Sequence, residues 1–259
     1  MKILRIIFLY FRHILTARNS KGFGVHSPFL YSFIRYSIME KSPYYVFDAI
    51  EKERIRLLMN KSVISTMDFG TGKNRKVTIS KIAKRSLKKA GQAQVLFRII
   101  RYLNCRNIVE LGTSLGITTM YLASVNKNDS IITFEGCSNR AGIAQELFNK
   151  HDLKNISLIE GNIDQTLLTN LQKIDIPDFY FIDANHQYQS LKEYFNICLN
   201  YSTEKTIIVI DDIYWSDGMQ KAWKEIIDYP EVTATIDIFH MGIVFLKKDL
   251  QKKNYKLRL

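Results

Sequence analysis

Cysteine is scarce: the 259 residues hold three, Cys105, Cys137 and Cys198, far apart and without a CxxC pair. An odd, scattered set excludes a disulfide framework and a thiolate zinc site, and makes a reducing cytoplasm the expected setting. Long apolar runs are missing too. The opening MKILRIIFLYFRHILTAR is strongly apolar, yet Arg5 and Arg12 interrupt it, so it cannot supply the roughly twenty-residue span that a bilayer requires. Its uninterrupted core, Ile6 to Phe11, is short and no small-x-small cleavage site follows, which argues against a secretory signal. No G-x-G-x-x-G fingerprint and no recognisable RNA-binding module occur, so a dinucleotide and a nucleic acid are not the expected partners.

What is present is charge, unevenly placed. The net +12 divides into +17 over residues 1–106, where 22 Lys and Arg face 5 Asp and Glu, and −5 over residues 107–259, with 15 against 20. A basic front suits an anionic lipid surface, a nucleic acid or an anionic substrate, and equally a solvated surface that keeps a chain in solution. Residues 1–18 read as an amphipathic helix, either lying on a membrane with Lys2, Arg5, Arg12 and Arg18 toward headgroups or folded onto its own domain. Ser27-Pro28 makes a helix start, the serine as N-cap and the proline in the first turn, with the helix running to about Met39. A further helix is expected from Tyr45 to Met59. The stretch after it, with Asp68, Gly70 and Gly72, imitates a glycine-rich ligand loop, but a strongly basic helix (Lys81, Lys84, Arg85, Lys88, Lys89) follows where a second strand with an acidic end is needed. It reads as a basic loop and helix near a substrate entrance, or as a plain connector.

The chain is organised around Asn107 to Glu135. An apolar run stops at a loop holding Gly112 and Gly116, a helical pattern follows from Thr118 to Val125, and a second apolar run from Ile131 ends on Glu135. Glycine lets such a turn approach a ligand closely, and the helix start directs unpaired N–H groups into the same space. Glu135 is placed to take the hydroxyls of a ribose. Glu110, just before the loop, would repel a pyrophosphate and suits a ligand carrying an ammonium group. Beyond it, strands are expected at Ile156–Glu160, Phe179–Ile182 and Thr206–Ile210, with two closing strands near 232–239 and 242–246, alternating with helices. Such alternation implies a mainly parallel sheet with ligands at the carboxyl ends of its strands.

A second constellation lies at two of those ends. Asp183 closes one strand and Asp211 and Asp212 close the next, 28 residues later. Neighbouring parallel strands gather the three carboxylates around one point, where a cation or a shared proton must relieve their repulsion; an oxygen-only set favours Mg²⁺, Mn²⁺ or Ca²⁺. The alternative is that one aspartate caps a helix and another faces water. His186 follows Asp183 by three residues and reads either as a general base or as a structural hydrogen-bonding group.

The loop Glu-Leu-Gly-Thr-Ser-Leu-Gly resembles the first motif of class I S-adenosylmethionine (SAM) dependent methyltransferases. The order GQAQVLFRIIRYLNCRNIVELGTSLG, ITFE, FYFIDANHQY, IIVIDDIYW is similar to the cation-dependent catechol and caffeoyl-CoA type O-methyltransferases over roughly residues 90–246. The resemblance implies an α/β Rossmann-like sheet, mainly parallel with its last strand antiparallel and with helices on both faces. Residues 90–259 would then be the SAM domain and 1–89 a basic helical extension. It assigns Glu110, Gly112, Ser114 and Gly116 to the methionine end of SAM, Glu135 to the ribose, and Asn162 and Ile163 to the adenine edge. Asp183, Asp211 and Asp212 fall on the metal positions, and Asp183 counts among the cofactor-binding residues as well. Two departures stand out: Asp212 replaces the family's usual asparagine, and His186 replaces its catalytic lysine. The activity implied is methyl transfer to a hydroxyl of a small-molecule or lipid-like acceptor, with Asp183 and His186 catalytic, since the chain carries no Asn-Pro-Pro-Tyr-like amine-methylation loop. Further expected contacts are a second copy of the chain and a membrane surface touched by residues 1–18. The rival is a SAM-fold protein without catalysis that docks on a membrane or a nucleic acid through its basic front.

Overall fold

Serine before proline starts a helix here as the residue types require. In the computed structural model, which describes residues 2–68 and 73–258 and their side chains except at 2, 3, 21, 67, 68, 73 and 74, the Ser27 hydroxyl accepts from Leu30 N–H at 3.3 Å and Pro28 opens the helix. The N-terminal elements are α1 (Lys2–Thr16), a 3-10 turn (Ser20–Gly22) and α2 (Pro28–Phe33). The last widens into a π turn (Ile34–Ile38), and Ser37 donates to Phe33 O at 2.6 Å within it. The chain divides into two compact units, Met1–Glu40 with Ile176–Leu259, and Lys41–Asp175.

The Lys41–Asp175 unit opens with α3 (Tyr45–Met59), then a hairpin of β1 (Val63–Asp68) and β2 (Lys73–Thr78), then α4 (Ile79–Ser86) and α5 (Ala90–Leu103). β1 and β2 are antiparallel neighbours, so the look-alike segment joins two strands of a hairpin and not a strand to a helix; Gly70 and Gly72 themselves lie outside the described residues. Next come β3 (Asn107–Leu111), α6 (Ile117–Ala123), β4 (Ser130–Glu135), α7 (Ser138–Lys150), β5 (Ile156–Glu160) and α8 (Ile163–Leu171). β3, β4 and β5 are parallel in that order, with Leu111 beside Phe134 and Glu135 beside Glu160. Phe47, Ile50, Ile82, Phe97, Tyr121 and Phe148, drawn from five helices, are all buried in one cluster. The Phe47 ring lies 5.0 Å from Phe97 and 5.2 Å from Tyr121. Residues 41–89 therefore share a core with the Asn107–Glu135 stretch.

The other unit continues with β6 (Phe179–Ile182), α9 (Tyr188–Asn200), β7 (Ile207–Asp211), α10 (Asp217–Ile227), β8 (Ala234–Asp237), β9 (Met241–Phe245) and β10 (Lys253–Lys256). Its strands run in the order β10-β8-β9-β7-β6. β6 and β7 are parallel, β9 is antiparallel to β7 and β8, and β10 is parallel to β8. β6 and β7 are buried along their whole length, which is why they read as continuous apolar runs without alternation. β9 receives α10 closely: a Cβ on Gly242 would come within 2.5 Å of the Trp223 ring. Among the described residues no helix is long and apolar enough to cross a membrane.

One ionic cluster ties α3 to α7. The buried Glu53 carboxylate accepts from Lys150 Nζ at 2.9 and 3.1 Å, lies 3.0 Å from His151 Nε2 and pairs with Arg56. Burial alone would lift its carboxyl, but Lys150, His151 and Arg56 hold it below the ordinary carboxylate range. A depressed acid stabilises the fold above its unfolded pKa, and that contribution is lost as pH falls through the folded value. Glu53→Gln is accordingly expected to melt below wild type at neutral pH, with the difference shrinking on acidification through the carboxylate range. A pH series of thermal unfolding curves checks this.

Candidate active site

The glycine loop after β3 is built on a buried polar stack. Glu110 is fully buried, and its Oε2 accepts from the Thr119 hydroxyl of α6 and, at 2.7 Å, from the Thr133 hydroxyl of β4. Thr133 has a single proton and gives it to Glu110, so in its 2.6 Å contact with Thr113 it must accept. The order Thr113 to Thr133 to Glu110 pins the start of the loop from beneath. Gly112 and Thr113 N–H groups both donate to Phe134 O at 3.0 Å. Gly112, Ser114 and Gly116 have φ of 107°, 51° and 82°, and a Cβ on Gly116 would sit 2.7 Å from the Phe148 ring. Glycine is therefore required at 116 by conformation and by space together.

Ser114 pays for its left-handed backbone with an N–H aimed at Glu135. That N–H donates to Glu135 Oε2 at 2.8 Å, and Cys137 N–H donates to Oε1 at 2.9 Å. Glu135 is 7% exposed. Burial pushes its carboxyl up, while the Cys137 and Ser114 N–H groups and the Arg140 charge pull the other way. A carboxylate offers about four acceptor positions, so two N–H bonds leave capacity for a pair of hydroxyls. At the neighbouring strand end, Gly161 N–H donates to Glu135 O at 3.0 Å, Asn162 caps α8 by accepting from Asp164 N–H at 3.1 Å, and Ile163 is buried. The basic segment closes in from the side: Asn139 Nδ2 donates to Ser65 O of β1 at 2.7 Å, and the Ser86 hydroxyl at the end of α4 is 2.8 Å from that of Ser114.

Glu110 thus differs in place from the sequence expectation. Its carboxylate holds the loop's scaffold from inside the protein and presents no exposed surface. The threonines that complete this stack, Thr113, Thr119 and Thr133, were missed by sequence reasoning. Their only signal is a hydroxyl at positions where a plain β-branched apolar residue would fit the strand or helix equally well.

In the other unit, the parallel register that sets Ile182 beside Ile210 brings Asp183 next to Asp211. Asp183, His186 and Asp211 each offer a ligand atom, all within 4.8 Å of one another. His186 Nε2 lies 3.4 Å from Asp183 Oδ1 and 3.6 Å from Asp212 Oδ2. Asp211 is buried, whereas the Asp212 side chain is 40% exposed. The tight trio therefore contains His186 where Asp212 was expected. Asp212 has a φ of 49°, donates its N–H to His240 O at 2.7 Å and accepts from Trp215 N–H at 2.8 Å. A left-handed turn position favours Asp or Asn for backbone reasons, which accounts for the residue type without a metal. Two carboxylates and an imidazole at this spacing are a set that a divalent cation fits. An imidazole donor moves the preference away from Mg²⁺ and Ca²⁺, which the oxygen-only set read from sequence favours, and toward transition ions.

The fold is that of the Rossmann-like methyltransferases. An O-methyltransferase from Bacillus cereus, solved in complex with SAH, has a TM-score of 0.58 at 17% identity, covering 82% of this chain and 95% of that one. TomG from Streptomyces achromogenes, an O-methyltransferase solved with SAM, has a TM-score of 0.59 at 16% identity, with 82% and 94% covered. In sequence, residues 109–213 match the methyltransferase domain family. A catechol O-methyltransferase from Niastella koreensis is 30% identical over 125 residues, 47% of this chain and 56% of the relative. The chain is thus similar in fold and sequence to O-methyltransferases, and it spans little more than half the length of the curated relative it matches.

The charge state of His186 is set by its neighbours. Burial would lower its pKa, but the Asp183 hydrogen bond and the charges of Asp183, Asp212 and Asp211 outweigh it and raise the value above 6.5. A raised histidine stabilises the fold below its ordinary pKa, and that contribution is lost as pH rises through the folded value. The His186 ring is expected to titrate above an unstructured histidine when followed by NMR. Asp183→Asn should bring its midpoint down.

Proposed function

We propose that the chain is a SAM-dependent methyltransferase acting on a hydroxyl of a small-molecule or lipid-like acceptor. The observation that carries this reading is the locking of the loop onto Glu135 through Ser114 N–H, with acceptor capacity remaining on a buried carboxylate. In this reading Gly112, Ser114 and Gly116 pass close to the methionine end of SAM, and Glu110 holds the loop from below. Glu135 takes the ribose hydroxyls, and Asn162 and Ile163 border the adenine.

Methyl transfer is an in-line displacement: the acceptor oxygen forms a C–O bond as the C–S bond of SAM breaks, leaving a thioether. The acceptor's proton must go to a base, and His186 is the group of the right chemistry among the acidic residues. The carboxylates that raise its pKa favour the protonated imidazole, which has no lone pair left to accept it. A divalent cation held by Asp183, His186 or Asp211 would offset those carboxylates and lower the acceptor's own pKa. The catechol named for the curated relative is the first acceptor to try.

SAM is expected to give a heat of binding that Glu135→Ala diminishes by roughly 1.5–3 kcal/mol for each charge-assisted hydrogen bond lost. Absence of binding by the wild-type protein would remove the cofactor from the proposal. In the same series, Mn²⁺ or Mg²⁺ should raise the melting temperature by ligand linkage and EDTA reverse it. Asp211→Ala should abolish that response, and Asp212→Asn, which keeps the left-handed turn, should largely retain it. His186→Ala is expected to lower turnover by about 10²–10⁴-fold while sparing SAM affinity. A cation response that survives Asp211→Ala would leave a metal-free enzyme, and SAM binding without turnover on any hydroxyl would favour the inert docking protein.

A further inference from the structure

Helix α1 turns His13 inward to its unit, with Ile6, Leu9 and Ile14 half-buried beside it. His13 is 2% exposed, with Nε2 2.9 Å from Leu257 O and Nδ1 3.5 Å from Asp237 Oδ1. Arg5 pairs with Asp217 at 2.5 Å. The opposite face carries Leu4, Ile7, Phe8, Phe11 and Leu15, which are 73%, 45%, 66%, 60% and 83% exposed. Their spacing puts them on one stripe, about 16 Å long at 1.5 Å per residue. Large apolar side chains scattered singly on a surface need no explanation; five of them in one contiguous stripe mark an interaction site.

The charge around the stripe decides what it meets. The first acidic residue of the chain is Glu40, and before it stand Lys2, Arg5, Arg12, Lys21, Arg18 and Arg35. Arg5 is neutralised by Asp217, whereas Arg12 beside the stripe and Arg18 just beyond the helix are exposed. A second copy packing face to face on this helix would bring like charges together, while an anionic bilayer surface neutralises them. An apolar face rich in Phe and Leu with arginine at its flank is the composition of a helix lying in the headgroup boundary.

We propose that α1 is a lipid-docking helix that seats this protein on anionic membranes, its apolar stripe entering the bilayer boundary while its His13 side stays bonded to the fold. The occupant is the membrane surface itself, whatever the acceptor of the methyl group proves to be. The seating does not depend on the methyltransferase reading, since it needs neither SAM nor the acidic cluster.

The test is flotation of the full chain with vesicles of phosphatidylcholine alone and of phosphatidylcholine mixed with phosphatidylglycerol, in low and high salt. Binding is expected to the anionic vesicles and to weaken as salt rises. Phe8→Ser with Phe11→Ser and Leu15→Ser alters exposed positions only, so it should keep the wild-type melting temperature while losing the vesicles. Arg12→Glu with Arg18→Glu should weaken binding by at least about fivefold per charge. Failure of the wild-type chain to float with anionic vesicles overturns the proposal. So does equal binding by the serine variant, or a wild-type dimer that the serine variant dissolves while vesicle affinity is absent. SAM calorimetry on the same samples reports separately on the cofactor reading.

Discussion

One buried carboxylate sets the geometry of the glycine loop. Removing Glu110 from water is costly unless hydrogen bonds replace the lost hydration, and Thr119 and Thr133 supply them from α6 and β4. Because the Thr133 proton is committed, Thr113 must donate in turn, and the first loop residue after the glycine is oriented from below. Phe134 O then takes two loop N–H groups from the side. The chain has nowhere to go but through positive φ at Ser114 and Gly116. The N–H that meets Glu135 is therefore the end of a series of satisfied bonds that begins under the sheet. The loop's exposed end owes its position to side chains buried beneath it.

Much of this was legible in the sequence because local chemistry and tertiary packing agree. Ser27-Pro28 announces a helix start and forms one, and the helix read at Tyr45–Met59 appears with those bounds. The parallel strands ending at Leu111, Ile182 and Asp211 were visible as apolar runs, since burial on both faces leaves little room for polar alternation. What escaped is the part that composition does not encode. β10 is four residues, Lys-Asn-Tyr-Lys, of which Tyr255 is the buried one, so nothing in its hydropathy distinguishes it from a polar tail. The β1–β2 hairpin was visible only as a segment unfit for a cofactor loop, although its pairing, Val63 beside Thr78 and Ile64 beside Val77, joins the β-branched residues that favour strands.

The acidic cluster shows a different limit. Spacing alone brings Asp183 and Asp211 together, because adjacent parallel strands align their ends. Spacing cannot say where Asp212 points, for a left-handed residue turns the chain and carries its side chain away from its neighbour's direction. The result is a trio in which the imidazole stands where a third carboxylate was expected. That exchange alters the electrostatics more than the ligand count. The imidazole lies between Asp183 and Asp212, and the charges of Asp183, Asp212 and Asp211 raise its pKa against the effect of burial. A divalent ion bound through the imidazole nitrogen requires that nitrogen to be unprotonated, so its affinity would rise with pH.

Helix α1 makes the general point about amphipathic patterns. A one-sided distribution of Leu, Ile and Phe says that a helix has two unlike faces; it does not say which face the fold covers. The usual resolution buries the apolar stripe. Here the inward side sets half-buried Ile6, Leu9 and Ile14 beside directional contacts: a histidine against a main-chain carbonyl and an aspartate, and an arginine against Asp217. Directional bonds of this kind fix orientation with little area, and they work best where water is excluded, which the rings of Tyr10 and Phe239, 5.0 Å apart, provide beside His13. The side that holds the helix to its unit is the one bearing His13, and the stripe of Leu4, Phe8, Phe11 and Leu15 is left outward.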